Sequence, residues 1–114
     1  MQVFFYKTLS GRCPVRDDLD KLPVEAAAHA YELLQDIETL GADCSRVRFR
    51  IIRGKLWEIK MALPKIGGHR IFYSMISGGT MLLLESFQKK SRKAPIRHIE
   101  TAMQRLEDAL NRGV

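Results

Sequence analysis

Cysteine is nearly absent from this chain, and the 2 that occur, Cys13 and Cys44, stand far apart with no Cys-x-x-Cys and no neighbouring pair of histidines. That spacing argues against a zinc site and against a disulfide in a reducing compartment, so both are expected to be free thiols. Long apolar runs are missing too: no stretch approaches the length of a membrane span. The start, Met-Gln-Val-Phe-Phe-Tyr-Lys, lacks the charged head and long apolar middle of a secretion signal, which makes the cytoplasm the expected location. Repeats, low-complexity segments and linkers are also absent. Residues 1–114 are therefore expected to fold as a single domain with no metal and no cofactor, on a chain long enough to bury one core.

Acidic residues are scarce in the second half. Residues 1–52 carry 7 Lys/Arg and 8 Asp/Glu, whereas residues 53–114 carry 12 and 5, within an overall formal charge of +6. Such asymmetry fits nucleic acid, an anionic membrane surface or an acidic protein partner, and composition does not choose among them. The positive charge is densest just past the apolar run Leu82-Leu83-Leu84, where Lys89, Lys90, Arg92 and Lys93 follow with no acidic residue among them until Pro95. Many basic loops are merely solvated. This one leaves the mouth of a strand, which would hold its cations in place.

Periodicity supplies the framework. Residues 2–9 are β-branched and aromatic and predict a first strand; Pro14 to Leu22 allows a short helix with Val15 and Leu19 inward. From Pro23 to Gly41 a longer helix is expected, with Val24, Ala27, Ala28, Tyr31, Leu34 and Ile37 as its apolar stripe. Residues 42–54 read as a connection. Arg46, Arg48 and Arg50 alternate there and would share one side of an extended chain, either gripping phosphates or keeping a loop soluble; the soluble loop is the favoured reading.

Three strands follow. In Leu56–Leu63, Trp57, Ile59, Met61 and Leu63 point one way and Glu58 and Lys60 the other. Pro64 to Gly68 turns the chain, His69 to Ile76 returns it, and Ser77-Gly78-Gly79-Thr80 predicts a tight two-residue turn into a strand over about residues 81–88. With Ile71, Tyr73 and Met75 toward the core, Arg70, Phe72 and Ser74 share an outer face with Lys60. After Pro95 a last helix carries Ile96, Ile99, Met103, Leu106 and Leu110 on one stripe. The expected fold is α+β: an N-terminal strand and helices packed on a small antiparallel sheet, with a C-terminal three-strand meander and a last helix.

With the meander in place, Leu56-Trp57-Glu58-Ile59-Lys60, Gly68-His69-Arg70-Ile71-Phe72-Tyr73, Leu84-Glu85-Ser86-Phe87-Gln88-Lys89-Lys90 and Ala94-Pro95, followed by Ile99-Glu100-Thr101-Ala102, resemble the RelE/ParE toxin superfamily and its phage-related HigB-like branch. The resemblance covers most of residues 1–110. It implies the toxin of a type II toxin–antitoxin pair, an endoribonuclease that cuts messenger RNA on the ribosome without a metal and is restrained by a helix-turn-helix antitoxin. By position Lys60, Arg70 and Lys90 match basic residues that line the family's RNA site; these three, with Glu58 from the same strand face as Lys60, are the candidate catalytic residues. Lys89, Arg92, Lys93, Arg53 and Lys55 are then the RNA-contacting set. The chain departs from the family where a Tyr or His often serves proton transfer, offering there only Ser91, Ala94, Pro95 and His98.

Metal-free RNA cleavage requires activating a 2′-hydroxyl, stabilising charge on the phosphate and protonating the departing 5′-oxygen. An arginine fork matches a phosphate, which suits Arg70. A lysine is a base only if like charges lower its pKa from about 10.4, and Lys60 is the candidate. Glu58 could orient either one or form an ordinary cross-strand pair. Phe87 and Trp57 are expected in the core rather than stacked on bases. Two other readings stand beside this one: a ParE-like gyrase poison, and an inactive nucleic-acid-binding prophage protein.

Overall fold

In the computed structural model, residues 1–88 and 95–113 are described. Strands form at β1 (Gln2–Phe5), β2 (Arg48–Arg53), β3 (Leu56–Leu63), β4 (Gly67–Ile76) and β5 (Thr80–Gln88); helices form at α1 (Pro14–Asp20), α2 (Val24–Leu40) and α3 (Ile96–Asn111). The strands make one sheet in the order β1-β5-β4-β3-β2, antiparallel throughout except for β1, which runs parallel to β5 with Val3 opposite Met81 and Phe5 opposite Leu83. The architecture is α+β, and the parallel edge makes the sheet mixed. Among the described residues no helix is long and apolar enough to cross a membrane.

Helices cover both faces. Val15 and Leu19 of α1 and Ala26, Ala30, Leu33 and Ile37 of α2 pack with Ile59, Met61, Ile71, Tyr73 and Leu83. On the other side, Ile99, Ala102, Leu106 and Ala109 of α3 pack with Leu56, Phe72, Leu82 and Leu84. The face expected to be outer is therefore partly core: Phe72 and Ser74, placed outside with Arg70, are buried beneath α3. The β4 sequence alternates apolar with apolar here, which suits a strand covered on both faces.

Both long helices bury a stripe rotated from the expected one. Val24 is 85% exposed, Ile96 66% and Leu110 48%, while Ala26, Ala30, Ala102 and Ala109 face inward. Small residues let a helix approach the sheet closely, so the larger apolar side chains flank the contact instead of filling it.

Residues 48–53 were expected in a connection, yet they form the edge strand β2, with Phe49 opposite Ile59 and Ile51 opposite Trp57. Phe49 packs on the core while its neighbours Arg48 and Arg50 are exposed. An arginine-studded edge strand remains soluble and resists edge-to-edge pairing, so the pattern that resembled a soluble loop serves a strand equally well. Arg46 precedes the strand and ion-pairs with Glu32 and Asp36 of α2, so the three arginines do not share a side. The β4–β5 connection is three residues, Ser77–Gly79, closed by the Ile76 and Thr80 pair; Gly78 and Gly79 both take positive φ, at 76° and 73°, as the glycine pair demands.

Candidate nucleic-acid interface

Register decides which side chains meet. Arg48, Lys60, Arg70 and Phe87 are successive partners across β2, β3, β4 and β5, and the neighbouring row reads Arg50, Glu58, Phe72, Glu85. Directly opposed residues share a face, and strands lie about 4.8 Å apart, so three cations stand in a line on the α3 side of the sheet. A hollow of about 280 Å³ lies among Arg48, Arg50, Glu58, Lys60 and Arg70.

At its floor Glu58, 2% exposed, accepts from Arg70 Nη1 at 3.1 Å and from Arg50 Nη2 at 3.4 Å. A buried carboxylate is tolerable only with such partners. Arg70 is itself 3% exposed, and its Nε finds no acceptor among the described residues. Lys60 is half-buried between Arg48 and Arg70, whereas Arg48 and Arg50 are exposed. Four cations around one carboxylate leave a surplus of positive charge that a phosphate would neutralise.

Beyond Phe87 the row meets the start of α3. The β4–β5 register slips by one residue, with Tyr73 opposite Leu83 but Phe72 opposite Glu85, so Leu84 is the extra residue of a bulge. Leu84 and Glu85 consequently both serve the α3 side. The freed Leu84 carbonyl accepts from Arg105 Nη1 at 2.8 Å, and the Glu85 carboxylate accepts from Arg105 Nη1 and from His98 Nδ1, both at 3.0 Å, and from the Ser86 N–H at 3.2 Å. His98 lies flat on Phe87, with centroids 4.4 Å apart and planes 4° apart, and Phe87 meets Phe72 edge-on at 5.1 Å. Phe87 is core, as expected, with one ring face covered by His98.

Lys60, Arg70 and Glu58 thus come together. Lys89, Lys90, Arg92 and Lys93 lie outside the described residues. Arg53 and Lys55 do not join the cluster: Arg53 pairs with Leu56, at the opposite end of the hairpin from Arg48 and Lys60, and lines a groove with Glu100 and Glu107 of α3, while Lys55 is exposed in the turn. Arg48 and Arg50, expected to keep a loop soluble, line the hollow instead. Their two-residue alternation was the available signal, and it needed only a neighbouring strand to become a site. Trp57, as expected, packs against the core. Tyr73 on the α1–α2 side has its phenol pushed up to about 12 by burial, which removes it as a source of protons near neutrality.

The profile of a family described as Phage derived protein Gp49-like (DUF891) matches residues 17–107. That span runs from α1 through most of α3 and includes every member of the row. No curated protein matches the chain.

Proposed function

Because the chain belongs to the phage-derived Gp49-like family, within the RelE-like toxin group of type II toxin–antitoxin systems, we propose that it is a toxin that cuts messenger RNA on the ribosome. The observation carrying this reading is the line Arg48–Lys60–Arg70 over the buried Glu58. A phosphodiester lying across β3 and β4 meets Lys60 and Arg70 together. Glu58 fixes one nitrogen of the Arg70 guanidinium, so the fork is oriented before substrate arrives and pays little reorganisation during reaction.

In this mechanism Lys60 Nζ takes the proton of the 2′-hydroxyl, whose oxygen attacks the adjacent phosphorus. Arg70 and Arg48 hold the extra negative charge. The bond from phosphorus to the 5′-oxygen breaks, and His98, its Nδ1 committed to Glu85, donates a proton from Nε2 to that oxygen. The products are a 2′,3′-cyclic phosphate and a 5′-hydroxyl. Lys89, Lys90, Arg92 and Lys93 enter this reading only through the sequence resemblance, with Lys90 assigned to the phosphate and the other three to RNA contact. A helix-turn-helix antitoxin would silence the toxin by covering the row.

The test incubates the purified chain with ribosomes and a defined messenger and reads both product ends. Cyclic-phosphate and 5′-hydroxyl termini support the reading. Intact messenger, with loss of gyrase supercoiling activity in a parallel reaction, would transfer the chain to the gyrase-directed class.

A further inference from the structure

At the β5 end of the cationic row a second cleft, of about 530 Å³, opens between α1 and the start of α3. Among the described residues its lining charges balance, Arg12, Lys21 and Arg105 against Asp17, Asp18 and Glu85. Those residues offer directed hydrogen bonds rather than a net charge.

The state of His69 in this cleft follows from its neighbours. Gln88 donates from Nε2 to the Ile66 carbonyl, which turns its Oε1 toward His69 Nδ1 at 3.2 Å. An amide oxygen only accepts, so Nδ1 carries the proton and Nε2 presents a lone pair. Burial lowers the His69 pKa and so favours that neutral form. His69 is 3% exposed, lines the cleft, and its Nε2 has no partner among the described residues. A buried acceptor left unsatisfied is uncommon enough to require an explanation, and a ligand that donates supplies one. A second acceptor stands nearby: the Asp18 carboxylate, on α1, takes the Ser86 hydroxyl at 3.0 Å through Oδ2 and retains its other oxygen.

We propose that this cleft receives the nucleobase of the nucleotide that follows the scissile phosphate and selects bases bearing an exocyclic amine, which donates to His69 Nε2 and Asp18. The inference rests on the ribonuclease reading of the adjoining row. Phe87 links the two places, since it is the register partner of Arg70 and also a wall of the cleft. A strand with its phosphate over Lys60 and Arg70 delivers its next base past Phe87 and His98. Uracil fits poorly, because its N3–H is flanked by two carbonyl oxygens that would face the acceptor lone pairs.

The test titrates the full chain with AMP, CMP, GMP and UMP while following the imidazole nitrogen-15 resonances and the backbone amides. The amine-bearing nucleotides should shift His69 Nε2 together with the Ser86 and Gln88 amides, and UMP should bind more weakly. Asp18→Asn, at a half-buried position of α1 that can still accept from the Ser86 hydroxyl, should weaken the amine-bearing nucleotides roughly three- to tenfold, the size of one hydrogen bond. Equal binding of UMP, or shifts that leave His69 unmoved, overturns the assignment. Messenger cleavage without a His69 response removes the cleft and keeps the ribonuclease; a selective His69 response in a chain that cuts nothing keeps the cleft and removes the ribonuclease.

Discussion

Glu58 and Arg70 form an ion pair at 3.1 Å across β3 and β4 with both side chains almost wholly buried, at 3% and 4% exposure. The pair ties the chemistry of the row to the stability of the sheet. Removing one partner of a buried pair typically costs about 3–5 kcal/mol, because the other charge is left in a low-dielectric site. Arg70→Ala should therefore lower the urea midpoint clearly, offset in part by Arg50, which already reaches Glu58 at 3.4 Å. Arg70→Lys keeps the charge and loses the fork, so it should fold better and still fail to orient a phosphate. Equal midpoints for wild type and Arg70→Ala would show that the pair does not stabilise the sheet.

Arg48 separates the two roles more cleanly, because it is exposed and a register neighbour of Lys60. Arg48→Ala should change stability by no more than about 0.5 kcal/mol. Its affinity for single-stranded RNA should fall, with the slope of log affinity against log salt shallower by about 0.7 if one phosphate contact is lost. Fluorescence anisotropy across a salt series measures this. An unchanged slope would place Arg48 off the RNA path.

His69 makes stability depend on pH. Burial lowers its folded pKa below the ordinary 6.5, so between the two values the unfolded chain binds more protons. Stability from this residue is full above about 6.5 and is lost as pH falls toward the folded pKa. In urea titrations from pH 7.5 to 5, His69→Gln should flatten that acid-side decline. A decline of the same steepness in the variant would assign it to other groups.

The rotated stripe of α3 gives a paired test. Leu106 is 5% exposed and Leu110 48%. Leu106→Ala should cost about 2–5 kcal/mol and Leu110→Ala far less, with thermal melts reading the difference. Similar losses at both positions would mean that the helix packs on its apolar flank instead.

The fold was largely legible because two periodicities dominate the chain. Alternation in Leu56–Leu63 gave the sidedness of β3 correctly, and the Gly78-Gly79 pair marked the β4–β5 turn. Residues 48–53 were not legible as a strand because arginine alternating with Phe49 and Ile51 is what both a solvated loop and a charged edge strand look like; only the partner β3 distinguishes them. The covered second face was hidden in Ala102 and Ala109, residues too small to dominate an apolar stripe. At the site, Glu58, Lys60 and Arg70 followed from strand parity and resemblance. Arg48 and Arg50 depended on register, and the Glu85–His98–Arg105 network depended on a one-residue bulge that no local pattern announces.

If the row cuts messenger RNA, cleavage depends on its arginines. The most direct measurement maps new 5′ ends by primer extension on a reporter messenger in cells expressing the wild-type chain, Arg70→Lys or Arg48→Ala, each checked for folded protein. Breaks should appear inside the reading frame with wild type, few or none with Arg70→Lys, and fewer with Arg48→Ala. Breaks of equal strength in all three, from folded proteins, would contradict that dependence.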